Sequence, residues 1–320
     1  MSAVAETIEV QVIGLRLEAE GVISLELHGL DQLPLPAWTA GAHVDLLLPS
    51  GLVRQYSLCS APQDRTRWRI AVLQEANGRG GSREVHNALR VGQRISLRGP
   101  RNAFALQPAP RYLFVAGGIG ITPLLAMARS AELAGAEWQL LYGGRSRRSM
   151  AFVEELQTLG QGRVEVVPAD EAGLLDLEAV VAAARSGTQV YSCGPAPLLD
   201  ALSTRFAEAG LSDYLHLERF AAPAPVAGPA GEGGLTVILA RSGGQVLVPA
   251  DQSIMAALRE AGHTVPSSCE QGICGMCETR VLDGVPEHRD MLLSDSERAC
   301  GKVMMLCVSR AKTATLTLDL

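Results

Sequence analysis

Five of the seven cysteines lie between positions 269 and 307. Three stand in the string CEQGICGMC as Cys269, Cys274 and Cys277, spaced by four and then two residues, and Cys307 follows after 29 intervening residues. Four thiolates at this spacing suit a plant-type [2Fe-2S] cluster, whose two irons need four sulfur ligands. Gly272 and Gly275 let the loop backbone curl around such a cluster with its amides turned to sulfur. Two plainer readings are a zinc site and a redox-active dithiol at Cys274 and Cys277; zinc usually takes closely spaced pairs, and the second pair is missing here. Cys300 falls outside the spacing and reads as a small buried residue.

Two further stretches carry nucleotide chemistry. YLFVAGGIGITPLLAMA, from 112, reads as strand, glycine turn and helix, with Thr122 as N-cap and Pro123 at the first helical position. Gly118 and Gly120 let a pyrophosphate approach the backbone, where free amides and the helix dipole offset its charge. A tight packing turn is the plainer alternative. The second stretch, YSCGP at 191–195, ends a strand in Cys193, Gly194 and Pro195 before the next helix. In a parallel sheet both turns face one crevice, although a lone cysteine at a strand end is usually core.

RQYSLCS at 54–60 places a cation, an aromatic and a hydroxyl within four residues. Arg54 and Ser57 can bond polar groups while Tyr56 offers a face to a planar ring, and Leu58, next in the segment, is counted with them as a candidate cofactor contact. Downstream, NGRGGSREVHNAL supplies a glycine turn at Gly80 and Gly81, Ser82 as N-cap, and a short helix that makes a second anion site. Taken alone, the first motif is equally an ordinary strand with a solvated arginine.

Three kinds of scaffold must position these residues. Alternating apolar residues in EVQVIGLRLEAEGVISLELHGL, HVDLLLP, WRIAVL and RISLRGP predict short antiparallel strands, a barrel or sandwich. From Tyr112 strands alternate with helix-like stretches, which predicts a parallel sheet covered on both faces. Residues 221–234, AAPAPVAGPAGEGG, read as a linker. Beyond it, LTVILA and QVLVP form a hairpin, Asp251 caps a short helix, and the tail returns to strands. The patterns predict a multidomain chain: an antiparallel barrel or sandwich first, an α/β parallel-sheet domain after it, a linker at 221–234, and a compact mixed module of strands and a short helix beyond it.

Composition removes other classes. With 28 Lys and Arg against 34 Asp and Glu the net charge is -6, without the basic excess that nucleic-acid binding needs. The uncharged run from Tyr112 to Ala128 is short for a membrane span and is broken by glycines and Pro123. The N-terminal segment lacks the basic and apolar parts of a secretory signal, so the expected location is cytoplasmic.

RQYSL, GRGGS, GGIGITP, CGP and the cysteine loop, in this order, resemble the phthalate dioxygenase reductase family, which includes the vanillate demethylase reductases, over essentially the whole chain. The resemblance implies a multidomain chain with an FMN-binding antiparallel β-barrel at 1–108, an NADH-binding α/β parallel-sheet domain at 109–220 and, after the linker at 221–234, a plant-type ferredoxin domain of β-grasp, ferredoxin-like α+β fold at 235–320, which together supply electrons to a Rieske non-haem iron oxygenase. It implies Arg54 as ligand of the flavin phosphate, Tyr56 as the stacking residue and Ser57 as the hydroxyl near flavin N5. Gly80, Gly81 and Ser82 would cradle the FMN phosphate, and Gly118, Gly120 and Thr122 the nucleotide pyrophosphate. Cys193, Gly194 and Pro195 would lie beside the nicotinamide, and Phe220 would cover the flavin ring, although an aromatic closing a strand is more often core. Arg145, with Ser146, Arg147 and Arg148, could hold a 2'-phosphate or be a solvated basic loop; the family's habit favours NADH.

The implied chemistry is coherent. A nicotinamide gives two electrons as hydride, a [2Fe-2S] cluster takes one at a time, and a flavin does both. Two other readings remain at this point: a stand-alone NADH oxidase or flavin reductase, and a redox-sensing iron-sulfur protein with a degenerate nucleotide fold.

Overall fold

The computed structural model describes residues 7–320 apart from 77, 79, 221–233 and 268. The chain divides into two compact units, Met1–Phe220 and Ala221–Leu320. The expected linker lies almost wholly outside the described residues.

The first unit opens with β1 (Thr7–Ala19), β2 (Val22–Gly29), β3 (His43–Leu47), β4 (Val53–Ser57), β5 (Arg67–Leu73), α1 (Gly81–Ala88) and β6 (Arg94–Arg101). The strands form one antiparallel sheet in the order β4-β3-β6-β1-β2-β5. Its two edges meet where Leu58 bridges Ile70 and the Cys59 N–H donates to Arg69 O at 2.8 Å, so the sheet closes as a barrel and hides both edges. Val10 and Val12 on β1 and Leu25 and Leu27 on β2 are buried inside, as the period-two pattern requires.

The unit continues with β7 (Arg111–Gly117), α2 (Ile121–Leu133), β8 (Glu137–Gly144), α3 (Val153–Gly160), β9 (Val164–Pro168), α4 (Ala169–Ala172), α5 (Leu177–Arg185), β10 (Gln189–Cys193), α6 (Ala196–Glu208) and β11 (Leu215–Glu218). All five strands are parallel, in the order β11-β10-β7-β8-β9. Buried between neighbours, β7 is apolar from Tyr112 to Ala116, the mark of a central parallel strand. From β7 the chain first builds outwards through β8 and β9, then returns to lay β10 on the other side. The C-terminal ends of β7 and β10 thus flank the switch point, where open α/β sheets bind ligands.

The second unit contains β12 (Leu235–Leu239), β13 (Gln245–Val248), α7 (Ile254–Glu260), β14 (Glu278–Asp283), β15 (Pro286–Glu287), α8 (Asp295–Cys300), β16 (Val303–Met305), β17 (Arg310–Ala311) and β18 (Thr315–Leu318). Its mixed sheet runs β13-β12-β18-β14-β16, with β12 and β18 parallel and the other pairs antiparallel. Ile254, Ala257 and Leu258 of α7 join Val237, Met304 and Leu316 in its core.

Several expectations about helix ends change. The glycine turn already winds as a 3-10 helix over Gly118–Gly120, so Gly120, not Thr122, sits at the cap of α2. Thr122 falls in the first turn, its Oγ1 donating to Ile119 O at 3.1 Å. Pro123 is the third helical residue, where its missing N–H has no intrahelical partner to lose. Ser82 lies inside α1 behind a left-handed Gly80, and its hydroxyl instead accepts the Glu75 N–H at 3.0 Å. Ser253, not Asp251, caps α7 by accepting from Ala256 N. Cys300 is exposed because it ends α8, a helix that the expected run of tail strands omitted.

Candidate functional site

At the switch point the two expected turns touch backbone to backbone. A Cβ added to Gly120 would stand 2.2 Å from Cys193 O, and one added to Gly194 would stand 3.0 Å from both Cα and N of Gly117. Gly117 also abuts Pro195, where a Cβ would meet Cδ at 2.5 Å. Only residues without a side chain permit this approach. It leaves the N-terminus of α2 and the start of α6 at the ends of adjacent strands.

Cys193 pairs with Ala116 on one side and Glu218 on the other. Its side chain is fully buried, and burial and the Glu218 charge push its thiol well up. It is a neutral, compact wall at this point and not a thiolate. Glu218 was missed in the sequence, where one acid in an apolar strand carries no signal of its own. Its Oε2 is buried without a hydrogen-bond partner, and burial pushes its carboxyl up to about 8. Phe220 follows two residues later and is 40% exposed, so it is not a core aromatic.

On the barrel, Arg54 and Gly81 are brought together: a Cβ at Gly81 would lie 2.5 Å from Arg54 Nε. The guanidinium therefore lies across the start of α1, with its Nη1 donating to Val53 O at 2.8 Å. A cation over a glycine turn at a helix N-terminus suits a phosphate. Tyr56 stands two residues on along β4, its hydroxyl pushed up by burial against the nearby Arg54 charge. Ser57 is buried opposite His43. Leu58 belongs to the barrel core, with its N–H bonded to Ala42 O at 2.9 Å.

Arg145 follows the end of β8, exposed, and its carbonyl accepts the Asp170 N–H at 3.2 Å. Arg147 faces Glu171 at 3.6 Å, and Ser146 and Ser149 bond one another. This basic loop thus packs against the acidic Asp170 and Glu171.

In the second unit the four cysteines stand in two hydrogen-bonded pairs, Cys269 with Cys274 and Cys277 with Cys307. The Cys274 thiol and the N–H groups of Ile273, Gln271 and Cys274 pull the Cys269 thiol down, against the opposing effect of burial. Gln271 N lies 3.3 Å from Cys269 Sγ and Met276 N 3.5 Å from Cys274 Sγ. Gly272 and Gly275 adopt φ of +70° and +74°, the left-handed turn that aims these amides inwards. Among the described residues no three His, Cys, Asp or Glu side chains converge as on one metal ion. Two thiol pairs ringed by N–H donors fit the two irons of a [2Fe-2S] cluster, one pair to each.

Comparison with known proteins agrees. Residues 237–312 match the 2Fe-2S iron-sulfur cluster binding domain family, and residues 93–214 match the dimethylamine monooxygenase subunit DmmA-like N-terminal domain. The phenoxybenzoate dioxygenase subunit beta of Ectopseudomonas oleovorans is 47% identical, with 100% of both chains covered. A solved phthalate dioxygenase reductase, described as modular for electron transfer from pyridine nucleotides to [2Fe-2S], superposes with TM-score 0.73 at 37% identity over 98% of each chain. The chain belongs to the phthalate dioxygenase reductase family. Membership makes it an oxidoreductase with a C-terminal [2Fe-2S] ferredoxin domain. A wider relation also holds: an intact type IV self-sufficient cytochrome P450 monooxygenase superposes with TM-score 0.89 at 46% identity over 98% of this chain. This chain spans 41% of that longer one. No helix among the described residues is long and apolar enough to cross a membrane.

Proposed function

We propose that the protein is the NADH-dependent reductase component of a Rieske-type oxygenase system, moving electrons from NADH through FMN and the [2Fe-2S] cluster to the oxygenase. The observation that carries this reading is the pairing of the four thiols in a chain that aligns end to end with a dioxygenase subunit. In it, residues 1–108 bind FMN, 109–220 bind NADH and 235–320 hold the cluster, in the cytoplasm.

In this reading the site residues divide the work of holding the two cofactors. Arg54 and the turn at Gly80, Gly81 and Ser82 hold the flavin phosphate; Tyr56 and Phe220 bracket the ring, and Ser57 meets its polar edge. Gly118, Gly120, Thr122 and Pro123 form the helix start that receives the pyrophosphate, and Arg145 borders the adenosine end. Cys193, Gly194 and Pro195 form the turn beside the nicotinamide, the buried neutral thiol packing the end of the strand beneath it. FMN, when bound, accepts an electron pair as hydride and releases it singly, which matches a two-electron donor to a one-electron cluster.

The test is to release the flavin by heat, identify it by chromatography, and then supply NADH with an oxygenase encoded nearby. FMN in the supernatant and NADH-dependent product with a Rieske oxygenase are expected. Recovery of FAD overturns the flavin assignment, and product only with a haem monooxygenase overturns the Rieske one. The second outcome has support of its own in the likeness to the self-sufficient P450 chain.

A further inference from the structure

Residues Arg289–Leu293 lie in sequence between Cys277 and Cys307, and their polar groups are bonded to both flanks of the cysteine site. The Met291 N–H donates to Gly272 O, in the cysteine loop, at 3.0 Å. The Arg289 N–H donates to Ser309 Oγ, two residues beyond Cys307, at 3.2 Å. Asp290 between them is 1% exposed. Its Oδ2 accepts the N–H groups of Leu292 and Leu293 at 3.2 and 2.9 Å, and its Oδ1 faces the Ser309 hydroxyl at 3.5 Å. Arg298 also ties the segment: its Nε donates to Leu293 O at 2.9 Å, its Nη2 to Asp290 O, and it stands 3.7 Å from the carboxylate.

Three strands of chain meet at Gly272. A Cβ there would lie 2.5 Å from Val308 Cγ2 and 3.1 Å from Asp290 Cα. The loop that carries Cys269, Cys274 and Cys277, the segment around Asp290, and the turn that carries Cys307 therefore share one packed contact. A buried carboxylate here lies in a medium of low dielectric, where charges act over longer distances than in water.

We propose that Arg289–Leu293 is a strap closing the three-cysteine loop onto the Cys307 turn, and that Asp290 is a positioning residue whose negative charge lowers the reduction potential of the bound cluster. Reduction adds a negative charge to the cluster. The Asp290 carboxylate opposes that charge; the Arg298 guanidinium and the His288 ring each stand 3.7 Å from it, beyond hydrogen-bond distance. A strapped site with such a charge holds its metal firmly while keeping the reduced cluster a strong donor to whatever accepts the electron.

The test uses the full chain with its cluster. In Asp290→Asn the side chain keeps its shape and loses its charge; redox titration followed by electron paramagnetic resonance should show reduction favoured by about tenfold, a rise of ~59 mV for one electron. Ser309→Ala removes the tie to the Cys307 turn without a change of charge. It should lose iron to a chelator several-fold faster than wild type, with the midpoint little moved. Flavin bleaching by NADH should match wild type in both variants; its failure in wild type would count against the proposed function and leave the strap standing. A wild-type midpoint in Asp290→Asn overturns the electrostatic role, and a wild-type chelation rate in Ser309→Ala overturns the strap. If Asp290→Asn cannot retain a cluster, the chelation rate of Ser309→Ala decides alone.

Discussion

Arg69, on β5 of the barrel, grips Glu155 of α3 with two guanidinium bonds, Nη1 to Oε2 at 2.9 Å and Nη2 to Oε1 at 2.6 Å. Arg129 of α2 reaches the same carboxylate, and the Arg69 guanidinium lies 4.8 Å from the Phe152 ring centroid. Barrel and parallel sheet are thereby joined by a shared carboxylate that is largely shielded from water.

Glu155→Gln should remove about 2 kcal/mol of stability, the scale of a hydrogen-bonded charge, and lower the melting temperature by roughly 4–8 °C. The pH dependence has a definite sign. Burial alone raises the Glu155 carboxyl, but the bonds and charges of Arg69 and Arg129 hold it below its ordinary range. A carboxylate depressed by folding contributes stability above its unfolded value of about 4.3 and loses it as pH falls through the lowered one. Denaturant midpoints should therefore fall more steeply with acid in wild type than in Glu155→Gln. Parallel curves would show that the carboxylate contributes nothing.

Glu218 has the opposite sign. Its carboxyl is pushed up to about 8 by burial, so folding opposes its ionisation, and the stability present below about pH 4.3 drains away as pH rises towards 8. Glu218→Gln should gain on wild type in melting temperature between about pH 5 and pH 8.5. An offset that does not change across that range would mean that Glu218 ionises freely.

Gly120→Ala places a methyl 2.2 Å from Cys193 O. The two turns must part, and a misplacement of about 1 Å at a hydride donor can cost on the order of a hundredfold in rate. Stopped-flow bleaching of the flavin by NADH should slow by at least that factor while flavin content and the cluster signal persist. A near-normal rate would detach the switch point from hydride transfer.

Cys307→Ser should abolish the resonance of the reduced [2Fe-2S] cluster, because it breaks the Cys277–Cys307 pair. Flavin reduction by NADH should continue, since all the residues assigned to that step lie in the other unit. A rhombic signal like that of wild type would remove Cys307 from the ligand set.

The barrel strands, the parallel sheet and the cysteine loop were legible in sequence because each rests on a short-range pattern: alternation in β1 and β2, apolar continuity in β7, fixed spacing from Cys269 to Cys277. Helix ends were less so. Thr122 and Ser82 are sound capping residues by type, yet glycines at 120 and 80 took the cap positions because their backbones already turn there. Helix α8 carried a legible signal that went unread: Ser294 and Glu297 form a reciprocal capping box. What no local pattern could reveal were contacts across long stretches of chain. Arg69 and Glu155 are 86 residues apart, and Arg289 and Ser309 are 20 apart across the cluster site. Such pairs depend on where the sheets and loops come to rest.

The contact between Gly120 and the carbonyl of Cys193 also sets the smallest piece of this fold that can be exchanged. An engineer who grafts a different nucleotide-binding loop after β7, to change the preferred reductant, inherits a shape fitted to the turn after β10. The two turns are separated by more than seventy residues of chain but form one surface, and a library that varies only one of them samples mostly collisions. Transplanting 117–123 together with 193–195 moves lock and strike plate as a set.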